Sequence, residues 1–279
     1  MAKIAFIGLG MMGSPMAANL IGAGHTLRVR DANTAGQYEF LAANSAQALD
    51  ESNLDVDVVI TMLPNSKIVE SVLGELVPKL KPGTLIIDMS SSEPLRTRAL
   101  AESLKESGLA LLDAPVSGGQ KRAISGTLAI MVGGDEADFT KGQVVLAAMG
   151  TPVRVGPAGA GHALKALNNY VSAAALIATV EALHIGESFG LDPAVMTDVL
   201  NTSTARNNTT ENKVKQFMLN GAYNSAFSLG LLAKDVGIAV SLGEKLGEPM
   251  PLGSSVKSVW DQANDKAPRA DHTELYRLL

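Results

Sequence analysis

Lys165 and Asn169 stand four residues apart in the stretch GAGHALKALNNY. In a helix that spacing puts both side chains on one face. A lysine in this position is a candidate proton carrier. Its amine ordinarily titrates at about 10.4. Near a helix N-terminus the positive end of the dipole disfavours the ammonium, and desolvation or a bound cationic ring pushes the same way. The direction is toward the roughly 7–8 that suits general acid–base work. Asn169 would then hold either a substrate hydroxyl or the lysine itself. A lysine that merely solvates the first helical turn has the same spacing, so spacing alone does not decide.

A second constellation lies near the start of the chain, in KIAFIGLGMMGSPMAANLIGAG. Gly8, Gly10 and Gly13 follow an apolar β-rich run and open a helical pattern. In that context the first glycine permits a tight turn, the second lets backbone approach a pyrophosphate, and the third lets helix and strand pack closely. The new helix offers unpaired N–H groups and a partial positive charge to phosphate. Asp31 closes the next β-rich run, 18 residues beyond Gly13, near the distance expected for the carboxylate that binds ribose hydroxyls. Such a carboxylate accepts the 2′-hydroxyl of NAD and repels the 2′-phosphate of NADP. Arg28 and Arg30 share the strand face opposite Asp31. Arg30 keeps NADP open as an alternative. The cofactor-binding set is therefore expected to include Gly8, Leu9, Gly10, Met11, Met12, Gly13 and Asp31.

Composition removes several classes of chemistry. There is no cysteine, so disulfides, thiolate zinc sites and a thiol nucleophile are excluded. His25, His162, His184 and His272 are too far apart for a metal motif, and no metal is expected. A net charge of -5 argues against a nucleic-acid partner or a basic membrane anchor. The N-terminal apolar run leads into a helical pattern and not a cleavage site, so no signal peptide is expected. VSAAALIATV is too short to span a bilayer and reads as part of a buried helix. A cytoplasmic location is the expectation these features give.

The elements that must position these residues change character once along the chain. KIAFIG, TLRVRD, DVVITML, TLIIDMS, ALLDAPVS, LAIMVGG and VRVG read as strands, with helical stretches between most of them. That alternation predicts a parallel sheet with helices on both faces. After GPAGAGH the strands stop. One long helix is expected over 161–189, ended by Gly190 and Pro193, followed by further helix-periodic segments. The fold class is α/β: an N-terminal Rossmann-type dinucleotide-binding domain (1–160), then an all-α C-terminal domain for substrate and oligomerisation (161–279), joined by a long interdomain helix.

Four motifs, in order along the whole chain, resemble those of the β-hydroxyacid dehydrogenase family. They are FIGLGMMGSPMAANL, DAPVSGGQKRAISGTLAIMVGG, GPAGAGHALKALNNY and FSLGLLAKDVGIAV. The resemblance implies that Ser117, Gly118 and Gly119 bind a substrate carboxylate, in keeping with the N–H donors of a Gly-Gly turn. It implies Lys165 as acid/base with Asn169 as partner. It also implies Lys234 near substrate and nicotinamide, a structural Asp235, and Met62, Leu63, Pro64 and Ser91 along the cofactor. The expected activity interconverts a small 3-hydroxy acid and its semialdehyde in a cleft between the domains. The type is most similar to 3-hydroxyisobutyrate dehydrogenase, with tartronate semialdehyde or glyoxylate/succinic semialdehyde reduction as the alternative. The small carboxylate is the expected partner, with a homodimer or homotetramer as assembly. Gln120, Lys121 and Arg122 depart from the small or acidic residues of many relatives. Arg122 either reaches a second anionic group or faces water, and water is the favoured reading.

Two rivals remain. Oxidative decarboxylation of the 6-phosphogluconate kind would need a basic phosphate cluster, and none is evident. A non-enzymatic cofactor-binding scaffold would have no need of Lys165. Lysine likewise separates the chain from imine reductases, which resemble this family and typically lack it.

Overall fold

The computed structural model describes residues 1–50 and 54–279. Its first part alternates strand and helix: β1 (Lys3–Ile7), α1 (Gly13–Gly22), β2 (Thr26–Arg30), α2 (Thr34–Ala43), β3 (Ala46–Ala48), β4 (Val58–Thr61), α3 (Ser66–Leu76), β5 (Leu85–Asp88), α4 (Pro94–Glu106), β6 (Ala110–Asp113), β7 (Val116–Ser117), α5 (Gly119–Ser125), β8 (Leu128–Gly133), α6 (Glu136–Ala147) and β9 (Gly150–Gly156). The strands form one sheet in the order β3-β2-β1-β4-β5-β6-β8-β7, with β9 beside β8. Strands β1 to β6 pair in parallel.

Alternation explains why these runs are apolar throughout. Ile4 and Phe6 point to one face with Ile60 and Ile87, against Met16 and Leu20 of α1. Ala5 and Ile7 point to the other with Val59 and Ile86, against Val69 and Leu73 of α3 and Leu104 of α4. A strand buried on both faces has no polar side to show.

The sheet is parallel as expected from β1 to β6, and one strand reading needs correction. ALLDAPVS is not one strand. Pro115 has no N–H to continue the ladder, and the chain bends there into β7, which pairs antiparallel with β8 through Val116↔Ile130 and Ser117↔Ala129. That bend carries Ser117 to the end of the short strand, immediately before Gly118.

The remaining chain is helical: α7 (Ala160–Phe189), α8 (Pro193–Asn201), α9 (Asn208–Asn212), α10 (Leu229–Leu246), α11 (Pro251–Lys266) and α12 (Leu275–Leu278), with a π-type turn at Val214–Met218. The long helix expected over 161–189 thus starts one residue earlier. Gly190 ends it at φ +101°, with Leu191 N donating to Gly186 O and Gly190 N to Glu187 O, a left-handed C-terminal cap. Asp192 then caps α8, whose first residue is Pro193.

By internal packing the chain divides into two units, Met1–Lys165 and Ala166–Leu279. The core of the second gathers Leu176, Val180 and Leu183 of α7 with Leu232 and Val236 of α10 and Trp260 of α11. By length and composition α7 would suffice to cross a membrane, with mean hydropathy 1.2 over its most apolar window. Its buried stripe within this helical core is what a core helix shows.

Candidate active site

The residues singled out in the first unit sit in loops at the carboxyl ends of the strands, where ligands bind in open α/β sheets. The glycine turn follows β1, Asp31 follows β2, Met62–Pro64 follow β4, Ser91 follows β5, and Gly118–Gly119 follow β7.

Each glycine of the first turn has a separate steric reason. At Gly8, with φ +102°, a Cβ would lie 2.2 Å from Met62 O. At Gly13 it would lie 1.9 Å from Gly8 O. At Gly10 it would meet nothing within 4 Å. Gly8 and Gly13 are therefore required by the protein's own packing, whereas the open side of Gly10 is a cradle that a side chain would fill. The N-terminus of α1 has no side-chain cap and no acidic residue in its first turn. Its donors and dipole suit a pyrophosphate.

Asp31 is half-buried. One carboxylate oxygen accepts from Leu9 N and the other from Asn33 N at 2.6 Å. The acid is thereby fixed against the glycine turn, and each oxygen keeps a lone pair for a hydroxyl. Arg30 is drawn to Glu75 at 3.3 Å, and Arg28 donates to Asp55 O at 2.9 Å. These residues fit a dinucleotide.

Deeper in the first unit lies a polar cluster that sequence reasoning missed. Asp88 and Asp113 end neighbouring strands and pair in register. Asp88 Oδ1 accepts from Thr61 Oγ1 at 2.9 Å and Ser90 N at 3.0 Å. Its Oδ2 accepts from Ser92 Oγ at 2.8 Å. Ser90 Oγ in turn accepts from Leu63 N at 2.9 Å, so the loops after β4 and β5 brace one another. Asp113 accepts from Gly159 N at 2.7 Å and His162 N at 2.8 Å. That is a carboxylate cap on the first turn of α7. Burial pushes the Asp113 carboxyl up, against the lowering effect of His162 and of the backbone donors. His162 Nδ1 lies 2.8 Å from Thr97 Oγ1 on α4. No Cβ fits at Gly161, where it would approach Met131 O to 2.3 Å. The start of the helix is thus pressed onto the sheet, and Lys165, half-buried, lies one turn further along.

The second unit holds the other singled-out residues. Asn169, four residues past Lys165 on α7, is buried. Its Nδ2 donates to Asp235 Oδ2 at 2.6 Å, and its Oδ1 accepts from Asn168 Nδ2 at 3.0 Å. Lys234 Nζ lies 3.3 Å from Asp235 Oδ1. Asp235 is buried and organises both neighbours.

The missed acids had one faint signal. LIID and LLD each end an apolar strand in an aspartate, and a buried carboxylate at such a place needs partners.

A glycine turn after β1, a carboxylate just after β2 and a helix-borne lysine are the parts that a nicotinamide-dinucleotide-dependent oxidoreductase uses. Comparison with known proteins agrees. The family model for the NAD binding domain of 6-phosphogluconate dehydrogenase matches residues 3–159. The model for the NAD-binding region of NADP-dependent 3-hydroxyisobutyrate dehydrogenase matches residues 159–279. The chain is 39% identical to 2-(hydroxymethyl)glutarate dehydrogenase of Eubacterium barkeri, over 93% of this chain and 88% of that one. It is 37% identical to 3-sulfolactaldehyde reductase of Escherichia coli, over 94% and 90%. A solved structure of Mycobacterium tuberculosis 3-hydroxyisobutyrate dehydrogenase with L-serine superposes with TM-score 0.93 at 34% identity, covering 100% of this chain and 99% of that one. The chain belongs to the β-hydroxyacid dehydrogenase family, NAD(P)-dependent enzymes that act on a CH–OH group.

Proposed function

We propose that this enzyme interconverts a short 3-hydroxy acid and its semialdehyde with NAD as the preferred cofactor. The observation that carries the reading is the capping of α7 by Asp113. It anchors the helix bearing Lys165 to the carboxyl end of the sheet, in the same unit as the glycine turn and the Ser117–Gly119 turn.

NAD, when bound, supplies the hydride acceptor. The chain's own residues do the rest. Ser117 and the N–H groups of Gly118 and Gly119 hold the substrate carboxylate. Lys165, as a neutral amine, accepts the hydroxyl proton during oxidation and returns it during reduction. Asn169 orders the face of α7 one turn beyond the lysine through its bond to Asp235, and Lys234 stands on the same carboxylate. Leu9, Met11, Met12, Met62, Leu63, Pro64 and Ser91 line the cofactor, and Asp31 selects against a 2′-phosphate.

The names of the relatives support this substrate class. 3-Hydroxyisobutyrate, 2-(hydroxymethyl)glutarate and L-serine are all 3-hydroxypropanoates that differ only at C2. A panel of 3-hydroxy acids and semialdehydes, assayed by NADH absorbance, tests the reading. If lactate or neutral alcohols outperform every 3-hydroxy acid, the assignment fails.

Assembly into a homodimer or homotetramer belongs to the same proposal. Val171, Ile185 and Phe189 of α7 and Val195 and Val199 of α8 are exposed apolar side chains that association would cover. Light scattering that finds only monomers would refute it. A cytoplasmic site of action is in keeping with the absence of cysteine, and fractionation of the native host checks it.

A further inference from the structure

Gly118 lies exposed in the turn assigned above to the substrate carboxylate, with φ +133°. The space where its side chain would stand is taken by Arg122. A Cβ built on Gly118 would meet Arg122 Cδ at 2.5 Å, Cβ at 2.9 Å and Cγ at 3.1 Å. The aliphatic stem of the arginine therefore lies along the turn, and only its guanidinium extends beyond it.

That guanidinium is unusual in this molecule. Arg30, Arg96, Arg206 and Arg277 donate to glutamates. Arg28, Arg98 and Arg154 donate to backbone carbonyls. Among the described residues, Arg122 and Arg269 alone have a guanidinium with neither kind of partner. Arg269 is remote in sequence from every turn discussed above, whereas Arg122 is packed on one. α5 also carries Lys121 and has no acidic residue (GQKRAIS), so nothing within the helix neutralises either charge. A long aliphatic stem can cover the surface in this way for any arginine whose head stays in water. One whose stem is already ordered loses less rotamer freedom when its planar fork engages a carboxylate.

We propose that Arg122 is a specificity-determining residue that reads a second carboxylate on the substrate, so that dianionic 3-hydroxy acids are preferred over monoanionic ones. The first carboxylate occupies Ser117–Gly119, the hydroxymethyl arm meets Lys165, and an acidic substituent at C2 meets the guanidinium. The proposal rests on the carboxylate assignment of the preceding section. It replaces the expectation that Arg122 simply faces water.

The test compares 2-(hydroxymethyl)succinate and 2-(hydroxymethyl)glutarate with 3-hydroxyisobutyrate in wild-type enzyme, Arg122→Gln and Arg122→Lys, with NAD. At least one dicarboxylate should exceed 3-hydroxyisobutyrate in kcat/KM. Arg122→Gln should lower that ratio by about tenfold or more, mainly through KM. Arg122→Lys, which keeps a charge but not the fork, should fall between. A wild-type enzyme that favours the monoanion overturns the proposal. So does a variant in which both substrates lose activity equally, since the arginine would then merely support the turn. Calorimetry with the unreactive pair 2-methylsuccinate and isobutyrate on NAD-loaded enzyme separates the two readings. If no 3-hydroxy acid is oxidised, the proposed function fails. Arg122-independent affinity for the diacid would sink the arginine assignment whatever the turnover.

Discussion

Lys165→Ala should lower kcat by about 10²–10⁴-fold and leave NAD affinity nearly unchanged. In the proposed function the lysine acts on a proton in flight, and the cofactor is anchored elsewhere, by the turn at Gly8–Gly13 and by Asp31. Single-turnover kinetics with cofactor titration checks both halves, and retention of more than about a tenth of kcat would remove the lysine from the acid/base role. Asp31 governs a different quantity. Its carboxylate is held by Leu9 N and Asn33 N, while Arg30 is directed to Glu75. Wild-type enzyme should therefore prefer NAD, and Asp31→Asn should reduce the NAD/NADP ratio of kcat/KM by about tenfold. An NADP-preferring wild type would show that Arg30 leaves Glu75 for the phosphate. The glycine turn, Asp31 and Lys165 were visible in the sequence because their signals are short-range: a spacing, a strand end, a helix start. Asp88, Asp113 and His162 were not, because their meaning lies in residues 27 to 65 positions away that only the folded sheet brings near.

α7 depends on its first turn. Asp113 satisfies two of its N–H groups in a buried place, and without it both donors would be left without water or acceptor. Asp113→Ala should cost about 2–4 kcal/mol, read as a lowered denaturation midpoint in urea, and should reduce kcat more than it raises KM for NAD. A loss below about 0.5 kcal/mol would mean that the helix is held by Gly161 and its packing alone. Most elements were legible for the reasons that make them stable. Apolar runs gave the central strands, and Gly190 with Pro193 gave the end of α7. The elements that escaped are those whose pairing is tertiary. β3 is three residues at the sheet edge, β7 is two residues after Pro115, and neither is long enough to show a period.

At the scale of the whole molecule, ionisation couples to stability through groups of the helical unit. Here Lys213 is half-buried, and its amine is lowered to about 8 by burial, against the raising effect of Asp271. Burial would raise Asp271, yet hydrogen bonds from His272, Thr273 and Ser225 outweigh it and hold the carboxyl well below its usual range. For Lys213 the sign is the reverse of an ordinary paired lysine. Below pH 8 it is charged in both folded and unfolded chains, and the fold carries the full cost of burying that charge. Between about pH 8 and the unfolded value of 10.5 the native lysine has released its proton and the unfolded one has not, so this contribution raises stability with pH. Lys213→Met should stabilise the protein at neutral pH and flatten that rise. Urea midpoints at pH 7 and pH 9.5 measure it, and identical pH slopes for variant and wild type would refute the assignment.

The three glycines of the first turn write a footprint that mutational tolerance can reveal without any bound molecule. Alanine at Gly8 or Gly13 collides with the protein's own backbone, so a library sorted for soluble, folded protein should discard both. Alanine at Gly10 collides with nothing in the chain, and the same sort should retain it. Sorted instead for growth that depends on turnover, the library should lose all three. Positions that survive the first sieve and vanish in the second are where the chain keeps itself empty for a visitor. Gly10 should head that set, and its survival in both would mean that no pyrophosphate passes there.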